Sequence, residues 1–130
     1  MKLWGGSLNN HFPDDEKLYR AVFPGNMYWK CDGTLTSAVF KDRYKGGLSV
    51  QRGDGRNDAE VIHHMDSLGY EGAIVFVTVE DCKSVHALVK YAPTKNSKYH
   101  SEIHRSNEIA LLSQSQAKHL ANKAVIVKSL

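Results

Sequence analysis

The feature that most constrains the fold is an apolar run at residues 72–79, which reads Gly-Ala-Ile-Val-Phe-Val-Thr-Val. Its short length and its β-branched and aromatic content favour a strand over a helix. A strand that is apolar on both sides is typical of burial on both faces. The run therefore predicts a strand at the centre of a sheet, with other elements packed on either side.

Two segments carry helix-start signals. Asn57 can cap a helix together with Glu60, and Gly69 supplies the end of that helix. Ser113 and Gln116 stand at the same spacing and predict a second start. Apolar residues follow both starts at helical intervals, so each predicted helix has one face suited to a core.

Short β-branched or alternating segments, bounded by turn residues, predict further strands at residues 17–23, 48–52, 85–91, 98–105 and 124–128. Residues 34–41 fit a strand or one irregular turn that contributes Leu35, Val39 and Phe40 to the core. The chain of 130 residues is long enough to bury a core without disulfides. It predicts one α+β domain over residues 1–130, with residues 1–15 as an irregular N-terminal arm. The sheet is expected to be mixed or antiparallel and twisted, with about five to seven strands and two main helices.

Charge and cysteine content narrow the class of protein. The formal net charge of +3 is too mild to indicate nucleic-acid binding by itself. Cys31 and Cys82 lie far apart, so the sequence has neither a redox Cys-x-x-Cys nor a zinc ribbon. It has neither a signal-peptide-like start nor an apolar run of membrane-spanning length. We expect a cytoplasmic protein with no membrane partner.

Residues 98–105 carry the strongest functional signal, because His100, Glu102 and His104 recur at every second position. On a strand, all three side chains project from one face. An imidazole and a carboxylate can share acid–base work on a phosphodiester or an ester. The two histidines would lie roughly 13 Å apart, too far to bind one ion, although either could bind one with Glu102. The alternative interpretation is the solvated face of an edge strand.

Basic residues concentrate in two intervals that would form a positive patch if the fold joined them. They are Lys41, Arg43, Lys45, Arg52 and Arg56 in the first interval, and Lys95, Lys98, His100, His104 and Arg105 in the second. Arg20, on the first predicted strand, is either an outward surface residue or an anion ligand held by rigid backbone.

A series of short pieces resembles a group of small uncharacterised bacterial proteins. The pieces are Leu18-Tyr19-Arg20, Asp32-Gly33, Ser37-Ala-Val-Phe40-Lys41, Leu48-Ser49-Val50 and a late histidine at His100. The resemblance extends from residue 18 to about residue 104. It implies a compact bacterial α+β domain in which Arg20, Ser37, Ser49 and His100 converge, and it implies no particular activity.

Three functional hypotheses follow. The first is an enzyme acting on a phosphate ester, such as a small ribonuclease or a nucleotide-processing protein. In it His100 is the general acid or base, Glu102 or His104 is its partner, and Arg20 stabilises negative charge with Lys98 or Arg105. Ser37 and Ser49 are expected to bind substrate, which could be a small phosphate-bearing molecule or RNA.

The second hypothesis is a non-catalytic module that binds an anionic small molecule or a partner protein. The third is a metal site at His100 and Glu102. A nucleotide-transferring reaction on NAD through Arg20 and a serine also stays open. The chain has no phosphate-binding loop, dinucleotide fingerprint or nucleophile elbow. No cofactor is therefore expected, while a protein partner and a homo-oligomer stay open.

Overall fold

The computed structural model describes residues 8–41 and 46–130, and within them six strands form one sheet with three helices. The strands are β1 (Lys17–Val22), β2 (Leu48–Arg52), β3 (Ala73–Thr78), β4 (Leu88–Tyr91), β5 (His100–His104) and β6 (Val125–Lys128). The helices are α1 (Asp58–Ser67), α2 (Val79–Lys83) and α3 (Gln114–Lys123). The strand order is β4-β5-β2-β1-β3-β6, and every neighbouring pair is antiparallel. The predicted α+β class is confirmed, with α1 and α3 as the two main helices.

The apolar run at residues 72–79 forms β3, and its predicted burial on both faces is confirmed. Ile74 belongs to a smaller core on one face, while Val75 and Val77 belong to a larger core on the other. Its expected position at the centre of the sheet is wrong by one strand, because the short closing strand β6 leaves β1 and β2 as the central pair.

The two cores lie on opposite faces of the sheet. The larger core joins the sheet to α2, α3, Phe12 of the N-terminal arm, and a 3-10 turn at Ser37–Phe40. The smaller core is formed by Val61 and Met65 of α1 against Tyr19 and Ile74. Residues 34–41 therefore form an irregular turn, and the expected burial of Leu35, Val39 and Phe40 is confirmed.

The helices begin where the sequence predicts. Asn57 and Ser113 both form complete capping boxes, with Glu60 and Gln116 as their partners. The predicted strand at residues 85–91 is shorter than expected, because α2 is followed by a turn in which His86 has a positive φ of 61°. None of the helices in residues 8–41 and 46–130 is long and apolar enough to cross a membrane.

Arg52 was expected in a solvent-exposed positive patch, but it is a core residue with 1% exposure. Its guanidinium forms two hydrogen bonds with the Glu16 carboxylate, at 2.7 and 2.9 Å. Nη2, one of these two donors, also donates to the carbonyl oxygen of His11, and Nη1 donates to that of Asn9. The central carbon of the guanidinium lies 3.9 Å from the centre of the Phe12 ring. Arg52 therefore fastens the N-terminal arm and the start of β1 to the end of β2.

Replacing Arg52 tests this role. R52M removes one partner of a buried ion pair and leaves the Glu16 carboxylate with an uncompensated charge. We expect a loss of about 3–5 kcal/mol in the free energy of unfolding, measured by urea denaturation. R105M changes an exposed arginine and is the control, for which we expect a change within about 0.5 kcal/mol. Equal losses in the two variants would contradict a structural role specific to Arg52.

Candidate functional site

The predicted alternation in β5 is confirmed. Ser101 and Ile103 are fully buried in the core, while His100, Glu102 and His104 are partly exposed on the opposite face. The strand lies between β4 and β2, so the alternative interpretation as an edge strand is wrong. Its polar residues therefore have neighbouring side chains on both sides.

The strand register identifies these neighbours. Glu102 pairs with Ser49 of β2 on one side and with Lys90 of β4 on the other. Directly paired residues in antiparallel strands project from the same face, with Cβ atoms about 4.5–5.5 Å apart. Ser49 and Lys90 therefore flank Glu102 on this face of the sheet. Lys90 was missed in the sequence, because alternation gives the face of a residue but not its partner in another strand.

Glu102 and His104 form the central contact of this site. Glu102 Oε1 lies 2.8 Å from His104 Nε2, and the two side chains are 29% and 15% exposed. A carboxylate bound to an imidazole fixes the orientation of the ring and stabilises its protonated form. The pair is therefore a candidate acid–base pair that is partly shielded from solvent.

Gly47 holds His104 in this position. A Cβ atom at Gly47 would overlap the His104 ring and would lie 2.8 Å from Glu102 Cβ. The backbone just before β2 lies against the His104 imidazole and leaves no room for a side chain at position 47. Only glycine fits this position without a shift of the ring.

His100 is in a different environment. Its Nδ1 lies 2.7 Å from the carbonyl oxygen of Ala92. A carbonyl only accepts, so Nδ1 carries the proton and Nε2 can accept one. His100 pairs with Gln51, while Glu102 binds His104, so the expected pairing of His100 with Glu102 or His104 is replaced by a Glu102–His104 pair.

Arg20 lies on the other face of the sheet from His100. It pairs with Val75 of the larger core, whereas His100 pairs with Gln51 and Gln51 with Tyr19. The register between β1 and β2 covers Leu18 with Arg52 and Tyr19 with Gln51, and beyond these positions the strands diverge. Arg20 crosses the gap, donating from Nη1 to the carbonyl of Ser49 at 2.8 Å and from Nε to that of Val39 at 2.7 Å.

A pocket of about 170 Å³ occupies the gap between the two strands. The residues that line it include the polar Arg20, Ser49 and Gln51 and the apolar Ala21 and Met65. Ser49 is also the cross-strand neighbour of Glu102. The pocket and the Glu102–His104 pair are therefore adjacent, with Ser49 shared between them.

The other expected substrate-binding residues lie elsewhere. Ser37 accepts a hydrogen bond from Gln114 of α3 at 2.9 Å, on the face of the larger core. The Lys98 ammonium lies 5.4 Å from the centre of the Tyr99 ring, and Arg105 is exposed beyond β5. Of the four residues expected to converge, the structure brings together Arg20 and Ser49. Within the expected positive patch, Arg43 and Lys45 lie outside the described residues.

A second polar cluster lies around Tyr99. The Arg56 guanidinium lies 3.5 Å from the centre of the Tyr99 ring, and it donates to His64 Nδ1 at 3.4 Å. Burial lowers the pKa of His64, and the positive charges of Arg56 and Lys98 lower it further. Burial also lowers the pKa of Arg56. The geometry suits a neutral His64 that accepts from a stacked arginine.

A third contact supports the start of α1. Tyr19, fully buried, donates through its hydroxyl to the Asp58 carboxylate, which also binds Lys17. Burial and the bond to Asp58 raise the pKa of Tyr19, and the Tyr19 hydrogen bond lowers the pKa of Asp58. Both groups therefore keep their ordinary charge states at neutral pH, and the contact joins α1 to β1.

The third hypothesis places a metal ion at His100 and Glu102. Across residues 8–41 and 46–130, no group of three or more His, Cys, Asp and Glu side chains is arranged to hold a metal ion. The nearest feature, the Glu102–His104 pair, uses its facing atoms in a hydrogen bond with each other.

Comparisons with known proteins found no relative from which a function could be inferred. No protein-family model, curated protein or solved structure matches the chain. The resemblance to small bacterial proteins stays a prediction.

The close approach of Gly47 to His104 predicts a measurable coupling. G47A should destabilise the protein by about 1–3 kcal/mol, because the added methyl group overlaps the His104 ring and approaches Glu102 Cβ. In an H104A background, the same change should cost clearly less, because the ring is absent. Urea denaturation of the four proteins gives the coupling free energy. Additive effects would show that Gly47 does not position His104.

The lowered pKa of His64 predicts a pH-dependent stability. The unfolded chain has the ordinary value of 6.5, so it takes up a proton at a higher pH than the folded protein does. This contribution to stability is present above 6.5 and is lost as the pH falls from 6.5 toward the lowered value. We expect H64Q to reduce the loss of unfolding free energy between about pH 7.5 and 5.5. H11Q, at an exposed histidine that does not contribute to the His64 shift, is the control, and an equal reduction in both variants would contradict the assignment.

Proposed function

We propose that the protein is an enzyme that acts on a phosphate ester of a small molecule, with Glu102 and His104 as its acid–base pair. The observation that supports this most directly is the 2.8 Å contact of His104 with a carboxylate flanked by Ser49 and Lys90. One face of the sheet thus combines a proton acceptor, its orienting carboxylate, a hydroxyl and a positive charge.

The proposed reaction is hydrolysis. His104 accepts a proton from a water molecule as the water oxygen bonds to phosphorus, and the ester P–O bond breaks. The leaving oxygen then takes a proton from the His104 imidazolium. Glu102 stabilises that imidazolium, and the Lys90 ammonium offsets the negative charge that develops on the phosphoryl oxygens.

This proposal changes the roles predicted from the sequence. His100 was expected to be the general acid or base, but its Nδ1 binds the Ala92 carbonyl and its neighbour on β2 is Gln51. Arg20 was expected to stabilise charge, but it lies on the opposite face and binds two backbone carbonyls. We assign proton transfer to His104, charge stabilisation to Lys90 and ligand contact to Ser49.

A second candidate is a non-catalytic module that binds a small anionic molecule. The observation that favours it is the pocket of about 170 Å³ between β1 and β2, whose lining includes Ala21, Ser49 and Met65. A concave pocket of this kind can retain a small ligand without any reaction.

The test is turnover of a panel of phosphate esters, followed by ³¹P NMR. The panel contains bis-p-nitrophenyl phosphate, 2′,3′-cyclic nucleotides and nucleoside monophosphates. For the substrate that is hydrolysed, E102Q and H104N should lower kcat by about 10²–10⁴-fold, because general acid–base catalysis contributes that much. Thermal unfolding should show that both variants stay folded.

H63N is the matched control, since His63 is an exposed histidine on α1 away from β5. Its kcat should equal that of the unaltered protein. A kcat unaffected by E102Q and H104N would overturn the assignment of the acid–base pair. Panel members that raise the melting temperature without being hydrolysed would instead support the binding module.

A further inference from the structure

The pocket between β1 and β2 has an aromatic mouth. Phe23 and Tyr70 line it and are 54% and 39% exposed, and Tyr28, which is partly buried, lines it as well. Exposed aromatic side chains present flat apolar faces on which a planar ring can stack. Three such side chains at one opening form a surface suited to a ring-shaped group.

These three side chains come from separate segments that backbone contacts hold together. A Cβ atom at Gly72 would overlap the last carbonyl group of β1 and would lie 3.2 Å from Phe23 Cα, so the segment that carries Tyr70 packs directly against the end of β1. The indole of Trp29 donates to the Phe23 carbonyl at 3.0 Å, which places the neighbouring Tyr28 beside the same strand end. The aromatic mouth is therefore organised before any ligand binds.

The inner part of the pocket is mainly apolar and matches one ring in size. The buried residues Tyr19 and Met65 line it together with Ala21. Its volume is about 170 Å³, and an apolar protein cavity of about 150 Å³ binds benzene. A methionine thioether also makes favourable contacts with aromatic rings.

The lining favours an uncharged ring. Among the described residues that line the pocket none is Asp or Glu, so a cationic group would meet no opposite charge there. Arg20 is engaged within the protein, through its bonds to the carbonyls of Ser49 and Val39 and a further interaction, so we assign it to the wall. Recognition therefore rests on shape and on aromatic and apolar contact.

We propose that this pocket binds one uncharged aromatic ring, and that the phosphate esters on which the protein acts are aryl phosphates. The second part rests on the proposed function, and it names the class of substrate. Ser49 lines the pocket and pairs with Glu102, so an ester whose ring occupies the pocket has its phosphate directed toward the Glu102–His104 pair. Hydrolysis of its P–O bond by water then releases a phenol and inorganic phosphate.

The experiment is a calorimetric titration of the unaltered protein with phenyl phosphate, methyl phosphate and phosphocholine, which differ only in the group attached to the phosphate. Phenyl phosphate should bind at least about fivefold more tightly than methyl phosphate, because stacking on aromatic side chains contributes that much or more. It should also bind more tightly than phosphocholine, since a quaternary ammonium is the other group that suits an aromatic mouth. No binding of phenyl phosphate, equal affinity for methyl phosphate, or a preference for phosphocholine would each overturn the inference.

Variants of the aromatic mouth locate the binding. F23A and Y70A should each weaken phenyl phosphate by roughly 5- to 100-fold and leave methyl phosphate unchanged, because each removes a stacking surface and keeps the phosphate contacts. I109A is the control, since Ile109 is a comparably exposed apolar residue that does not line the pocket. Melting temperatures check that the variants are folded. Unchanged affinity for phenyl phosphate in both variants of the mouth would overturn the inference.

The E102Q variant separates this inference from the proposed function. It leaves the residues that line the pocket unchanged, so it should keep the preference for phenyl over methyl phosphate while losing the hydrolysis of phenyl phosphate, followed by ³¹P NMR. A ring preference without hydrolysis by the unaltered protein would support the pocket and overturn the proposed function. Hydrolysis of phosphate esters without a ring preference would support the proposed function and overturn this inference.

Discussion

The buried ion pair between Arg52 and Glu16 closes one end of the central strand pair, and the rest of the structure depends on that closure. Arg52 binds the Glu16 carboxylate through two nitrogens and also binds two carbonyls of the N-terminal arm, so the charge is fully compensated within the core. Arg52 pairs with Leu18 of β1, and Arg20 lies two residues after Leu18 on the same face of the sheet. There Arg20 spans the gap where β1 and β2 separate. One arginine thus seals the closed end of the pair, and the other forms a wall of the pocket at its open end.

This arrangement explains how a small sheet can carry a site on its face. The separation of β1 and β2 opens a pocket of about 170 Å³ without interrupting the pairing of β2 with β5. That pairing aligns Ser49 with Glu102, and the pairing of β5 with β4 aligns Glu102 with Lys90. A cluster suited to acid–base chemistry therefore arises from strand register, next to a pocket that arises from strand divergence. Ser49 belongs to both.

The sequence predicts the local part of this picture and misses the part set by distant contacts. The alternation of His100, Glu102 and His104, the capping boxes at Asn57 and Ser113, and burial of residues 72–79 follow from spacing within short segments. The pairing of Ser49 and Lys90 with Glu102 depends on register between strands distant in sequence. Arg52 looked like a surface charge, because its partner Glu16 lies 36 residues away. The divergence of β1 and β2 has no signature in either strand alone.

The central claim is that the pocket and the Glu102–His104 pair form one ligand site joined by Ser49. The most direct test is an amide chemical-shift titration of the isotopically labelled protein with phenyl phosphate, at a pH where the protein is folded. The account predicts that the perturbed amides cluster on β1 from Arg20 onward, on β2 around Ser49, and on β5 at Glu102 and His104. Perturbations confined to the Arg56–Tyr99 cluster, or scattered over the surface without a cluster at Ser49, would contradict it.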